Sequence, residues 1–222
     1  MRLGRARLRW AAAWVAGLVA SFHGVGVSHA TLGPIELISR ADPSVALTGG
    51  GTLGGISADG RFVVFSSTAT DLDHGQVDSN AATDVFLFDR LTQTTTLVSH
   101  IPGAPGTTGN GASSNPVISA DGAYVAFISA ATNLVPGTDT NGATDVFLYE
   151  TATGTVTLVS HVPGDSGTAA NGTSDSLVIS ADGAYVAFRS AATNLVPGTG
   201  DRRQSASPMI LRSGSTNGQR GR

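Results

Sequence analysis

Two matched acidic runs carry the residue types and spacing best suited to chemistry. Each run has an Asp, an Asn two positions later and a second Asp six positions after the first. Carboxylate and amide oxygens around a tight turn are ligands that calcium prefers, so the runs indicate a possible calcium site in each of two loops. In the alternative interpretation, the same residues organise turns by accepting backbone N–H groups, and no ion is involved. The candidate ligands are Asp78, Asn80 and Asp84 in the first run and Asp139, Asn141 and Asp145 in the second.

Signals for catalysis are few. The chain has no cysteine, no Gly-x-Ser-x-Gly elbow and no phosphate-binding Gly loop that ends in Lys. Asp59, Asp121 and Asp182 recur at equivalent turns, so they are assigned to structure. His100 and His161 each end the segment LVSH, and this repetition also favours a structural place. The sequence therefore predicts no catalytic residue and no certain cofactor, with calcium as the one possibility.

The elements that must position these residues are copies of one repeat. A string close to ISADGAYVAF begins at Ile56, Ile118 and Ile179, which gives a period of 61 or 62 residues. Self-similarity at a fixed period indicates a repeat architecture. In the middle copy, short apolar runs between turn residues predict strands over 115–119, 123–130, 145–150 and 155–161. Four antiparallel strands per repeat is the blade of a β-propeller, so the predicted fold is all-β.

Apolar residues occupy adjacent positions in the central strands YVAFI and DVFLY. Both faces of each sheet should then be covered, as they are when blades stack face to face. Aromatic residues also recur at matched sites, and we expect them to pack between blades. These sites are Phe62/Tyr124/Tyr185, Phe65/Phe127/Phe188, Phe86/Phe147 and Phe88/Tyr149.

The Ser-x-Asp-Gly turn, followed by an aromatic residue and Val/Ala-Phe, resembles the PD40-like repeats of the TolB-type, WD-repeat-like β-propeller family. The resemblance covers roughly residues 35–200. It implies a propeller fold. Such repeats occur in exported binding proteins and in propeller domains attached to peptidases. No part of this sequence resembles a peptidase domain. The resemblance also implies that a strand from one terminus often completes the blade at the other, a role that the segment 35–40 would suit.

The first 30 residues have the pattern of a signal peptide. Four Arg precede the apolar run 10–20, and Ser28-His29-Ala30 places small residues at positions −3 and −1 of a cleavage site. The run is well short of the roughly 20 residues that a membrane-spanning helix needs. We therefore expect a secreted or periplasmic chain that begins at Thr31, with no membrane span after cleavage.

The repeat domain is predicted to occupy residues 31–200. It should contain complete blades at about 53–100 and 115–161, a partial blade at 176–199, and the lone strand 35–40. Residues 201–222 depart from the repeat and are predicted to form an aberrant, disordered basic tail. Two complete blades and two parts fall short of the about four to eight that close a ring. We expect a truncated propeller, with a frameshift or early end near Gly200; alternatively, a short protein closes by self-association through open blade edges.

Charge and loop length limit the kinds of function that the sequence favours. Residues 31–200 contain four Arg against fifteen acidic residues, which disfavours nucleic acid as a partner. The main hypothesis is an exported, non-enzymatic propeller that binds a protein or other extracytoplasmic ligand through the loops 71–83, 102–114, 132–144 and 163–174. One alternative is a propeller hydrolase or lyase that uses the non-repeated residues Asp71, Asp73, His74 and Asp165. The other is a non-functional fragment of a longer propeller.

Overall fold

The computed structural model describes residues 50–196, together with the backbone of residues 207–212. These residues form strands, turns and loops and include no helix. The strands are β1 Gly51–Ile56, β2 Phe62–Ser67, β3 Asp84–Asp89, β4 Thr94–Leu97, β5 His100–Ile101, β6 Ala104–Thr108, β7 Ser113–Ile118, β8 Tyr124–Ser129, β9 Asp145–Glu150, β10 Thr155–Leu158, β11 Ser174–Ile179, β12 Tyr185–Ser190 and β13 Ser207–Arg212.

The strands form a series of up-and-down antiparallel sheets. The first blade has the order β1-β2-β3-β4, and the second has the matching order β7-β8-β9-β10. The third sheet contains β11-β12-β13, and β5-β6 is a short separate hairpin. The predicted all-β fold with four-stranded blades of an incomplete β-propeller is therefore confirmed.

Blade stacking explains why the central strands are apolar on both faces. Val125 and Phe127 of β8 belong to the core shared with the first blade, whereas Ala126 and Ile128 belong to the core shared with the third. Because successive side chains of a strand point to opposite faces, one apolar strand can fill two cores. The core Val, Leu and Phe side chains of β2, β3, β8 and β9 are accordingly buried.

The Ser-Ala-Asp-Gly turn after the first strand of each blade has one hydrogen-bonded form in all three copies. In the first, the Ser57 hydroxyl donates to Asp59 over 2.6 Å and accepts the backbone N–H of Phe62 over 3.0 Å. The Asp59 carboxylate accepts the N–H of Arg61. Ser119 and Ser180 make the same bonds in the second and third copies. The recurring motif thus encodes a closed turn that starts the second strand.

The third blade differs from the prediction. The sequence predicts two strands there, yet β13 pairs with β12 along its whole length, from Tyr185 opposite Arg212 to Ser190 opposite Ser207. The structure therefore has a strand within the tail that the sequence analysis expects to be disordered. Pro208 fits because, within the described residues, β13 is an edge strand, where a missing N–H can face away from the ladder. The rest of the tail lies outside the described residues.

The fourth strands end earlier than predicted, and one predicted loop contains a hairpin. Strand β10 stops at Leu158 because the N–H groups of both Val159 and Ser160 point at the carbonyl of Val146, which ends the regular ladder. Strand β5 begins at His100, where the first complete blade is predicted to end, and β6 lies within the predicted loop 102–114.

The predicted signal peptide and the strand 35–40 lie outside the described residues. Residues 50–196 and 207–212 contain no helix that could span a membrane.

Candidate functional site

The two candidate metal loops fold into equivalent polar clusters at the start of the third strand of each complete blade. Asp84 opens β3 and is 1% exposed, and Asp145 opens β9 and is fully buried. The Ser99 hydroxyl donates to Asp84 Oδ1 over 3.0 Å, and the Ser160 hydroxyl donates to Asp145 Oδ1 over 2.6 Å. Each serine also accepts the backbone N–H that follows its aspartate. The carboxylates are thereby held beneath the loop.

The asparagines link each loop to the segment that leads to the next blade. Asn80 Nδ2 donates to the carbonyl of Gly109 over 2.8 Å and approaches Asp84 Oδ1 at 3.4 Å. Its Oδ1 accepts the N–H of Ala82 over 2.6 Å. Since carbonyls surround one side of the amide and an N–H faces the other, the orientation of the amide is fixed.

Asn141 repeats this arrangement in the second blade. Its Nδ2 donates to Asp145 Oδ2 over 2.8 Å and to the carbonyl of Ala170 over 2.6 Å. Its Oδ1 accepts the N–H of Ala143 over 2.7 Å. We call the groups Asn80–Asp84–Ser99 and Asn141–Asp145–Ser160 the Asn–Asp–Ser clusters.

The first aspartate of each run has a different environment. Asp78 Oδ1 accepts the N–H groups of Asn80 and Ala81, and Asp139 Oδ1 accepts the N–H of Asn141. Each of these aspartates therefore closes a turn, while the Asn and the second Asp of its run bond to each other. These hydrogen bonds are those of the turn-organising interpretation. Calcium binding itself stays a prediction.

Burial changes the acidity of the clusters. Loss of water raises the pKa of Asp84 to about 7, although hydrogen bonds from Ser99 and Asn80 oppose the shift. The same cause raises the pKa of Asp145 to about 6, against the bonds from Ser160 and Asn141. Burial also raises the pKa of Asp139. Both cluster aspartates therefore hold a proton at a higher pH than an exposed aspartate does.

The turn-organising interpretation of the two acidic runs predicts a weak response to calcium. At pH 8 and about 5 mM calcium, we expect the melting temperature to rise by less than about 1 °C, because Asn N–H groups rather than oxygens face the carboxylates. Calorimetry with magnesium as the control measures this. A rise of several degrees with calcium alone, lost in the Asp139→Asn variant, would contradict the expectation and establish the metal site.

The serines of the clusters were not singled out by sequence reasoning. A signal existed, since Ser99 and Ser160 precede the histidines of the repeated LVSH segment. His100 is buried; its Nδ1 lies 3.0 Å from the carbonyl of Ile101, and its Nε2 lies 3.1 Å from the carbonyl of Gly154 in the second blade. Its ring also meets Tyr149 edge-on at 6.0 Å. The predicted structural place of this histidine is confirmed.

Two of the four non-repeated polar residues named for an enzyme accept hydrogen bonds that hold the surrounding loops and strands. Asp73 Oδ2 accepts the N–H of Leu97, and Asp165 accepts the N–H of Gly167 and the hydroxyl of Thr168. Within the part of the chain that the structure describes, no group of three or more His, Asp or Glu side chains could hold a metal ion.

A cavity of about 300 Å³ opens where the first strands of the three blades approach each other. Leu53, Asn115 and Ser176 are among its lining residues and come from β1, β7 and β11. Asn115 and Ser176 sit at strand bulges with φ of 51° and 53°. This cavity could not be predicted from the sequence, because the bulges leave the apolar pattern of the strands unchanged.

No protein-family model matches the chain, and no curated protein matches it. Among solved structures, the crystal structure of the tricorn protease matches at 15% identity with a TM-score of 0.39. The match covers 71% of this chain and 13% of the tricorn protease chain.

Proposed function

We propose that this chain is an exported, non-enzymatic β-propeller protein of the TolB-type, which binds a protein or other extracytoplasmic ligand through its long loops. The observation that carries the proposal is the ordered joining of these loops. Val77 in the β2–β3 loop forms a parallel bridge to Thr107, and Thr138 in the β8–β9 loop forms the equivalent bridge to Thr168. Loops tied together in this way present a preorganised surface, which lowers the entropy cost of binding.

The use of polar groups within the loops supports binding over catalysis. Ser79 donates to the carbonyl of Thr108, and the Asn–Asp–Ser clusters use their hydrogen-bonding groups within the loops themselves. A catalytic acid or base must instead reach a substrate atom. Side chains such as His74 and Thr140 remain exposed on the outer surface of the loops, where a ligand can contact them.

The binding proposal is tested with immobilised peptide and glycan arrays probed with the purified chain. For any array component bound by the unaltered chain, we expect His74→Ala together with Thr140→Glu to weaken binding at least about tenfold. The control is Leu91→Ala, which removes an exposed side chain at the opposite end of the first blade. Equal loss in the control, or turnover of glycoside, ester or peptide substrates by the chain, would contradict the proposal.

Export has its own test. When residues 1–222 are expressed in an export-competent bacterium, we expect the protein outside the cytoplasm with an intact mass that begins at Thr31, because the first 30 residues carry the features of a cleaved signal. Replacing Ala30 with Arg should block processing. Recovery of the unaltered chain in the cytoplasm with Met1 retained would contradict export.

A further inference from the structure

Successive blades of this chain are joined by one repeated contact between their Ser-Ala-Asp-Gly turns. The N–H of Ala58 donates to the carbonyl of Ala120 over 2.7 Å, and the N–H of Ala120 donates to the carbonyl of Ala181 over 2.9 Å. Each turn therefore offers an N–H to the next blade and a carbonyl to the previous blade.

An aromatic residue accompanies each of these hydrogen bonds. The ring of Phe62 lies on Gly122, and the ring of Tyr124 lies on Gly183, so each glycine is covered by the preceding blade. Both glycines are buried, whereas the equivalent Gly60 in the first blade is only half-buried. The nearest atoms to a Cβ placed on Gly60 lie 3.7 Å or more away.

The two ends of the described repeat array are left with complementary halves of this contact. On the third blade we define the leading face by Val178, Ala181 and Tyr185. Val178 is 60% exposed and Tyr185 is 46% exposed, while their second-blade equivalents, Val117 and Tyr124, are half-buried against the third blade. Within residues 50–196, nothing accepts the N–H of Ala181.

On the first blade we define the trailing face by Ile56, Ala58 and Gly60. Ile56 is 58% exposed, whereas the equivalent Ile118 packs on the first blade beside Gly55. Within the same described range, nothing donates to the carbonyl of Ala58. The trailing face therefore lacks an N–H donor and an aromatic cover, both of which the leading face carries.

We propose that the leading face of one chain docks on the trailing face of a second copy of the same chain. The N–H of Ala181 donates to the partner's carbonyl at Ala58, and the ring of Tyr185 covers the partner's Gly60. This contact repeats, between copies, the interface that the chain already uses twice within itself. Two copies joined head to tail at both ends place six described blades in one ring, within the range of about four to eight blades in closed propellers.

Mass measurement on the chain purified after expression of residues 1–222 in an export-competent bacterium tests the proposal. Light scattering should give twice the mass of one chain, and Tyr185→Asp or Ile56→Asp should raise the dimer dissociation constant at least about tenfold. Val77→Asp is the matched control, because Val77 is 55% exposed and lies at the opposite end of the blade. A monomeric unaltered chain at about 50 µM, far above the dissociation constants of typical stable dimers, would overturn the proposal.

Mixing the two variants tests the head-to-tail arrangement, provided that circular dichroism shows each to be folded. The Tyr185→Asp chain keeps its trailing face and the Ile56→Asp chain keeps its leading face, so the mixture can form one intact contact. We expect a heterodimer in the mixture at concentrations where each variant alone is monomeric. A dimer of the unaltered chain without any recovery in the mixture would overturn the head-to-tail contact and indicate a contact between like faces of the two copies.

Discussion

Replacing Gly122 with alanine should lower the free energy of unfolding by about 3 kcal/mol, whereas the same change at Gly60 should cost about 1 kcal/mol. Both glycines end a Ser-Ala-Asp-Gly turn, and their φ angles are +74° and +72°. A left-handed backbone strains alanine equally at the two positions. At Gly122, however, the added methyl group would overlap the ring of Phe62 from the first blade. The difference between the two variants therefore isolates the packing of one blade on the next.

Urea denaturation, followed by far-ultraviolet circular dichroism, measures the free energy of unfolding of both variants. The comparison is made in the Tyr185→Asp background, so that no second copy can cover Gly60. A matched loss of stability at the two positions would show that the aromatic-on-glycine contact contributes nothing beyond backbone strain. A truncating change, Phe62→Ala, should partly rescue Gly122→Ala, because neighbouring substitutions that share one contact are not additive.

The recurring turn also explains why the fold could be predicted from the sequence. Its serine and aspartate form hydrogen bonds within five residues and its glycine allows the turn, so the motif forms the same structure wherever it occurs. The predicted strand 145–150 coincides with β9, and the predicted strand 123–130 encloses β8. Local hydrogen bonds and an apolar pattern on both faces were sufficient for this level of detail.

Features that depend on distant partners could not be predicted in the same way. Ser99 is 15 residues from Asp84 in sequence, and Gly109 is 29 residues from Asn80. The role of Asn80 as a donor to the next segment depends on where that segment returns, which no local pattern encodes. Strand β13 was missed for a related reason. Pro208 argues against a central strand, but a proline is tolerated in an edge strand. Whether a strand lies at an edge is a property of the assembled sheet.

The Asn–Asp–Ser clusters should make the protein most stable at an acidic pH, near pH 4. Asp84 has a folded-state pKa of about 7 and Asp145 one of about 6, both above the ordinary value of 3.8. The folded state therefore holds these protons more tightly than the unfolded state. The stabilisation is complete below the unfolded pKa and is lost as the pH rises through the folded pKa, with a slope of about 1.4 kcal/mol per pH unit for each group.

Other carboxylates limit stability on the acidic side. The hydroxyls of Ser57, Ser119 and Ser180 lower the pKa of the turn aspartates that they contact, which are Asp59, Asp121 and Asp182. Their contribution is present above the ordinary pKa and is lost as the pH falls through the lowered value. The two groups of aspartates therefore oppose each other, and the maximum lies where both contributions are present. Melting temperatures measured from pH 3 to pH 9 should locate it.

A pair of asparagine variants assigns the alkaline loss of stability to the clusters. In Asp84→Asn the remaining Oδ1 can still accept from both Ser99 and Asn80, which contact the same oxygen. This variant should be about 2 kcal/mol more stable than the unaltered chain at pH 8 and should lose most of the decline between pH 5 and pH 8. Asp145 accepts from Ser160 at Oδ1 and from Asn141 at Oδ2. In its asparagine variant the amide N–H group faces one of these two donors in either orientation, and that donor loses its acceptor. Asp145→Asn should therefore be destabilised at every pH, because an unsatisfied buried donor costs about 1–3 kcal/mol. If both variants kept the slope of the unaltered chain, the proton responsible would reside on another group.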